Sequence, residues 1–175
     1  AREALDPHLE KIKPLLSRGS IGTKLKALVK MAAYYAVWYP KLLFPFTSVP
    51  HDMHPRVVPY ARYAERASKR LARSVFYIMV KYQQKLESKQ ALLNRIVDIG
   101  VELFAVTSTC SYATQLAKDG QHNALDLAEA YCKTAKDRIE GFFVQLSHHH
   151  DKTNLAIAKK VLAKDFVWME NDIIS

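Results

Sequence analysis

The sequence predicts an all-α protein: an antiparallel helical bundle of four main helices, preceded by a basic amphipathic N-terminal helix and a proline-rich connector. Three observations predict it. Apolar residues recur at alternating three- and four-residue steps over long stretches. No alternating run of β-branched residues bounded by turns stands out. The connections between the last four helical stretches are only a few residues long, which favours antiparallel neighbours. With 175 residues, 49% hydrophobic and 25% charged, the composition is that of a globular domain with one sizeable core, so disordered and collagen-like classes are excluded.

Asp6-Pro7 reads as an N-cap and first-turn proline opening a short helix that Pro14 to Gly19 disrupts or ends. A second helix is expected from about Ser20 to Tyr39. Residues 40 to 59 contain Pro40, Pro45, Pro50, Pro55 and Pro59, each lacking a backbone donor and disfavouring helix just before it, so this stretch is expected to be an extended connector. A third helix follows from about Val57 to Leu86, with Ala61, Ala64, Ser68, Leu71, Val75, Ile78 and Tyr82 on one side. The fourth, about Ser88 to Asp119, carries Leu92, Ile96, Ile99, Leu103, Val106, Cys110, Ala113 and Ala117, the seam of an antiparallel bundle or coiled coil. Leu93, Val97, Gly100 and Phe104 widen that seam. The fourth helix is therefore expected to sit centrally and touch neighbours on more than one side. Gly120 fits a C-cap. A fifth helix, about Asn123 to Leu146, continues through Leu125, Ala128, Cys132, Ala135, Ile139, Phe142 and Leu146, and a sixth, about Lys152 to Ala163, carries Leu155, Ile157, Ala158, Val161 and Leu162. Residues 1–56 thus form a basic extension and connector, and residues 57–175 the bundle, within one compact domain.

Charge narrows the function classes. Lys and Arg number 26 against 17 Asp and Glu, a formal net charge of +9, and an anionic partner is worth testing. Residues 1–86 hold 16 basic and 5 acidic side chains, so an electrostatic function belongs to the first half. Two cysteines, Cys110 and Cys132, in apolar settings fit a reducing compartment and buried thiols. The start has no signal-peptide pattern and lacks an initiator Met, as expected of a processed or excised chain. Neither G-x-G-x-x-G nor G-x-x-x-x-G-K-[ST] occurs.

Lys24, Lys26 and Lys30 flank a helix that becomes apolar and ends in Tyr34, Tyr35, Trp38 and Tyr39, followed by Leu42, Leu43 and Phe44. The apolar run is too short to span a bilayer. Two readings fit: the segment lies in a membrane interface, or it docks on the bundle or a partner. Arg62, Arg66, Lys69 and Arg73 form a basic stripe opposite the apolar side of the third helix. Such a stripe suits phosphate contact, but without a DNA-reading module a solvated or partner-facing surface is preferred. Consecutive His148, His149 and His150 point in different directions and cannot all reach one ion, so Asp151 is read as the N-cap of the next helix. His51 and His54 make an equally weak metal candidate. Asp98 and Glu102, four residues apart, are read as structural ion-pair partners of Arg95 or Arg138, and no catalytic or metal residue is assigned.

The fourth and fifth helices carry a more specific likeness. ALLNRIVDIGVELFAVTSTCSYA, residues 91–113, resembles a helix of large acyl-CoA dehydrogenases reading LLxRLADxAIDLYAMxxVLSRA. Leu92, Leu93, Arg95, Asp98, Leu103, Ala105, Ser111 and Ala113 match, Ile96, Glu102 and Phe104 are conservative replacements, and Tyr112 departs from an arginine. Residues 130–139, AYCKTAKDRI, are similar to that family's next helix. The resemblance is to the C-terminal helical domain of the large, very-long-chain type acyl-CoA dehydrogenases and covers about residues 85 to 145. It implies a parent flavoprotein with FAD, an oxidoreductase of fatty acid oxidation that is a homodimer, in the cytoplasm or mitochondrial matrix and peripheral on the inner membrane. It also implies that this domain packs on the catalytic core of the same polypeptide, and that residues 20–46 stand where the family's membrane-associating segment lies. The family's glutamate, in a Phe-Glu-Gly-Thr segment, abstracts the α proton while hydride passes to FAD. That segment is missing from these residues, so this chain alone is expected to bind no cofactor and to be catalytically silent. The alternative is a stand-alone helical nucleic-acid-binding or scaffold module.

Overall fold

The computed structural model describes residues 48–169 together with positions 29, 30, 32, 33, 36, 37, 39, 40 and 43, all of these last being helical. The short helix expected after Asp6 and the start of the second helix lie outside the described residues. Four α-helices follow in order: α1 Val58–Tyr82, α2 Gln90–Lys118, α3 Ala124–Ser147 and α4 Asp151–Leu162, with 3₁₀ turns at Gln83–Ser88 and Val167–Met169. The described residues contain no strand.

The helix ends follow local chemistry. α1 opens with Pro59 in its first turn, where the missing N–H had no intrahelical acceptor to lose. α2 stops at Gly120, whose φ of 88° suits a residue without Cβ. Gln121 N–H donates to Leu116 O at 2.8 Å and Gly120 N–H to Ala117 O at 3.2 Å, the paired bonds of a Schellman turn. The short turn sends α3 back along α2.

Three helices share the core. All eight seam positions of α2, from Leu92 to Ala117, are buried, and α2 packs against both α1 and α3. Its partners on α3 are Leu125, Ala128, Cys132, Ala135, Ile139 and Phe143. Phe143 is buried where Phe142 was expected; four residues after Ile139 it returns to the same face, while Phe142 is half-buried at the edge. α1 contributes Ala61, Ala64 and Ala67, whose lack of bulk lets its backbone come close. A second cluster, Ile78, Met79, Leu86, Leu92 and Ile96, closes the other end. Ala67 and Met79 are buried where Ser68, Val75 and Tyr82 were expected; Ser68 instead donates to Ala64 O.

Cys110 and Cys132 face each other across the α2–α3 interface with Sγ atoms 3.8 Å apart and no exposed surface. The hydrogen bond shared with Cys132, and then burial, pushes the Cys110 thiol well above the ordinary range.

The described part of the proline-rich segment is not an extended connector. Pro40 and Leu43 are helical, since a proline gives up one helix bond without always ending the helix. Residues 51–57 fold into turns, with Met53 N–H donating to Pro50 O and Val57 N–H to His54 O. Val57 is buried in the core. His54 N–H donates to Thr114 Oγ1, Lys118 pairs with Asp52 at 2.7 Å, and Arg56 spans Asp126 and Glu129. Polar staples on α2 and α3 thus supply what the prolines withhold.

Candidate docking surface

The widened seam of α2 is where structure and expectation part. Val97 and Phe104 do not meet a neighbour. Phe104 is 73% exposed, and Val97, Val101 and Tyr112 are exposed beside it. Val97, Val101, Phe104, Ser108 and Tyr112 follow steps of four, three, four and four, so they line one face, opposite the buried seam. Over roughly 25 Å of helix this line holds no charged residue. Thr107, Ser108, Ser111, Tyr112 and Gln115 border an open depression at its C-terminal half. Gly100 flanks the line, and a Cβ added there meets nothing within 4 Å. A glycine inside a helix costs about 1 kcal/mol relative to alanine. Nothing within the described chain approaches Gly100 closely enough to account for it.

α2 is also long and apolar enough, by length and composition, to cross a membrane. Two apolar faces explain this: one is consumed by α1 and α3, and the other is left open.

The charged residues follow the sequence reading at Glu102 and depart from it at Asp98. Arg138 donates to both oxygens of Glu102, at 2.6 and 2.9 Å, and Tyr131 O–H adds a third bond at 3.3 Å. The Arg138 hydrogen bonds hold the Glu102 carboxyl below its ordinary range against the opposing pull of burial. Arg95 does not pair with Asp98. It binds Asp151 at the start of α4, a partly buried two-bond pair that outweighs an exposed pairing along one helix. Asp98 is exposed and joins no ion pair among the described residues. Asp151 is accordingly the first helical residue, not a cap: no side chain caps α4. Two further pairs tie α1 to α3 and left no sequence signal. Tyr63 O–H and Arg70 both donate to Glu140, and the Arg70 guanidinium lies 4.0 Å from the Phe143 ring centroid.

Among the basic stripe, Arg62 and Arg66 are exposed, whereas Lys69 is half-buried 3.4 Å from Glu65 and Arg73 is half-buried and engaged. The stripe therefore does not offer four open cations. Of the N-terminal surface residues, Lys24, Lys26, Trp38, Leu42 and Phe44 lie outside the described residues. Lys30 and Leu43 are exposed, and the Tyr39 ring packs on Phe76 of α1 at 5.8 Å between centroids. No group of three metal-ligating side chains converges among the described residues.

A family model described as ACAD9/ACADV, C-terminal domain, matches residues 55–167. The chain is also similar to probable acyl-CoA dehydrogenase FadE10 of Mycobacterium bovis and of two strains of Mycobacterium tuberculosis. Each is 36% identical over 181 residues, taking in 99% of this chain and 28% of the relative. No solved structure matches. The chain thus spans little more than a quarter of the curated relatives' length. On the matched span and the identity along it, the chain belongs to the ACAD9/ACADV C-terminal domain family.

Proposed function

We propose that this chain is the non-catalytic helical domain of an FAD-dependent acyl-CoA dehydrogenase of fatty acid oxidation, and that the outer face of α2 packs on the catalytic core of the same polypeptide. The open, uncharged line from Val97 to Tyr112 is the observation that carries it. A face of this kind, with aromatic residues and no lysine, has the composition of a protein interface core. Relatives with 72% of their length beyond the match would have the polypeptide to cover it.

The described residues do not fit a flavin. The depression on α2 is bordered by Thr107, Ser108, Ser111, Tyr112 and Gln115, with no cation for a diphosphate and no second wall for a ring system. FAD and the acyl-CoA site are assigned to the part of the parent that this chain does not span. The mechanism left to this chain is mechanical: α2, stiffened by α1 and α3, holds one face rigid against the core. The parent is a homodimer of the cytoplasm or mitochondrial matrix. Residues 20–46 supply its membrane- or partner-facing surface, with Lys24, Lys26, Lys30, Trp38, Tyr39, Leu42, Leu43 and Phe44 in contact.

The test begins with the reading frame ahead of Ala1, which should encode a flavin-binding dehydrogenase. Expressed as one polypeptide, it should oxidise a long-chain acyl-CoA with an electron acceptor, and the 175 residues alone should not. Val101→Lys with Phe104→Glu should leave the isolated domain folded but let limited proteolysis separate it from the core. A start codon at Ala1, or acyl-CoA oxidation by the isolated chain, would refute the assignment.

A further inference from the structure

Cys110 on α2 and Cys132 on α3 are the only cysteines of the chain, and both thiols are free. They lie at nearly equal distances along the chain on either side of the Gly120 turn, so two helices folded back on one another bring them level. Small neighbours keep the helices close around them. Ala113 follows Cys110 by one turn, Ala128 and Ala135 stand one turn before and after Cys132, and all three are buried. The Sγ atoms are 3.8 Å apart. A disulfide holds its sulfurs at about 2 Å, so each Sγ has to move by about 1 Å. A χ1 turn of about 30° gives that much, at a small rotamer cost.

We propose that Cys110 and Cys132 are a reversible redox modification site, which a peroxide closes into a disulfide that locks α2 to α3. Once Cys132 loses its proton, only Cys110 S–H can donate across the gap. That bond lowers the Cys132 thiol below its ordinary value against the opposing pull of burial, so Cys132 is the sulfur that ionises first. Its thiolate attacks one peroxide oxygen: an S–O bond forms, the O–O bond breaks, and the departing hydroxide takes up the released proton as water. Cys110 Sγ then attacks Cys132 Sγ; the S–S bond forms, the S–O bond breaks, and a second water leaves with the Cys110 proton. Each sulfur gives up one electron and the peroxide gains two.

Closure strands no polar group. Cys110 S–H also reaches Val57 O at 3.7 Å, but that carbonyl accepts from Tyr60 N–H at 3.1 Å and Ala61 N–H at 3.2 Å, so it stays satisfied when the thiol hydrogen is gone. Burial sets the specificity. Neither residue has exposed surface, so a bulky oxidant such as oxidised glutathione has no path to either sulfur, whereas a peroxide is little larger than water and enters when the interface opens transiently. The neighbouring thiol traps the sulfenic acid before a second peroxide can carry it to sulfinic acid. In a reducing compartment the dithiol is the resting form. Closing the loop between residues 110 and 132 restricts the unfolded chain and so tightens the fold.

The thiol pair belongs to the bundle alone, so its test on the 175-residue chain is independent of the dehydrogenase assignment. After hydrogen peroxide, neither thiol should react with iodoacetamide in denaturant, and dithiothreitol should restore both. Proteolytic fragments bearing Cys110 and Cys132 should emerge joined, lighter by two hydrogens than the separate pair, and part on reduction. The oxidised chain should remain a monomer and melt several degrees above the reduced one. Cys132→Ala should show no such gain. Cys110→Ala, in which Cys132 lacks its trap, should carry added oxygen at Cys132. Both variants are controls, and the unsubstituted chain decides by itself. Thiols that still alkylate after peroxide, a sulfinic acid in place of the disulfide, a crosslink between chains, or an oxidised chain that melts below the reduced one would each overturn the proposal.

Discussion

Arg95 and Asp151 lie 56 residues apart in sequence and meet through two hydrogen bonds, Nη2 to Oδ1 at 2.6 Å and Nη1 to Oδ2 at 2.8 Å. Their side chains are 16% and 22% exposed. His149 Nδ1 approaches the same carboxylate at 3.3 Å. This cluster fastens α4, which adds nothing to the core. Arg95→Ala should therefore free α4 without unfolding the bundle. Amide exchange in residues 152–162 should accelerate severalfold, while global stability drops by only about 1 kcal/mol, since water still screens the pair. Equal loss of protection in α2 and α4 would show that the pair holds the whole fold.

Core and surface positions should separate cleanly by denaturant unfolding. Ile139 is fully buried on α3, and Ile139→Ala should cost about 2–5 kcal/mol through lost burial and a residual cavity. Ala64 sits where α1 approaches its neighbours, so Ala64→Leu should cost about 1–3 kcal/mol by overpacking. Leu162→Ala, on open α4, should stay within about 0.5 kcal/mol. A large loss at Leu162 would mean that α4 is covered in solution.

Thr114 is the buried polar residue among the described positions. Its hydroxyl donates to Cys110 O at 2.8 Å and accepts from His54 N–H at 3.1 Å, joining α2 to the segment before α1. Thr114→Val keeps the volume and leaves the His54 donor without its acceptor. A loss of about 1–2 kcal/mol is expected, with exchange at the His54 amide rising first. Thr114→Ser should retain most of the stability, and equal losses in both variants would point to packing instead of the hydrogen bond.

Acid should weaken the fold through five carboxylates. Cation hydrogen bonds hold Asp52 (to Lys118), Glu102 (to Arg138), Glu129 (to Arg56) and Asp151 (to Arg95) below their ordinary values. At Glu140 burial pushes the other way, but bonds from Arg70 and Tyr63 prevail and the shift is again downward. Each group binds protons more weakly folded than unfolded. Its contribution is complete above the unfolded value and is lost as pH falls through the folded one. The melting temperature should be nearly level from pH 7 to about 5 and fall below about pH 4, and Glu102→Gln should flatten part of that fall. A profile that stays level to about pH 3 would contradict this assignment.

Periodicity made the bundle legible. The α2 seam could be written down residue by residue because each turn of a helix repeats the same geometry, and the Gly120 stop is a local matter of one φ angle. Of the long-range pairs, Glu102 with Arg138 was among those expected, whereas Arg95 with Asp151 was not legible, since Arg95 has an acid three residues away in sequence and a better one at the start of α4. The Phe142–Phe143 exchange had the same origin: steps of three and four are both helical, and the neighbouring helix decides which is buried.

By itself the sequence determined that residues 58–162 are helical, where α1 to α4 begin and end to within a few residues, and which stripe of α2 and α3 is core. Tertiary structure alone decided which apolar residues remain uncovered. Val97, Phe104, Leu155 and Leu162 have the same chemistry as the buried seam, and they are exposed because α1 and α3 supply only enough surface to cover one side of α2 and none of α4. Hydrophobicity is a property of the side chain, but burial is a property of its neighbours.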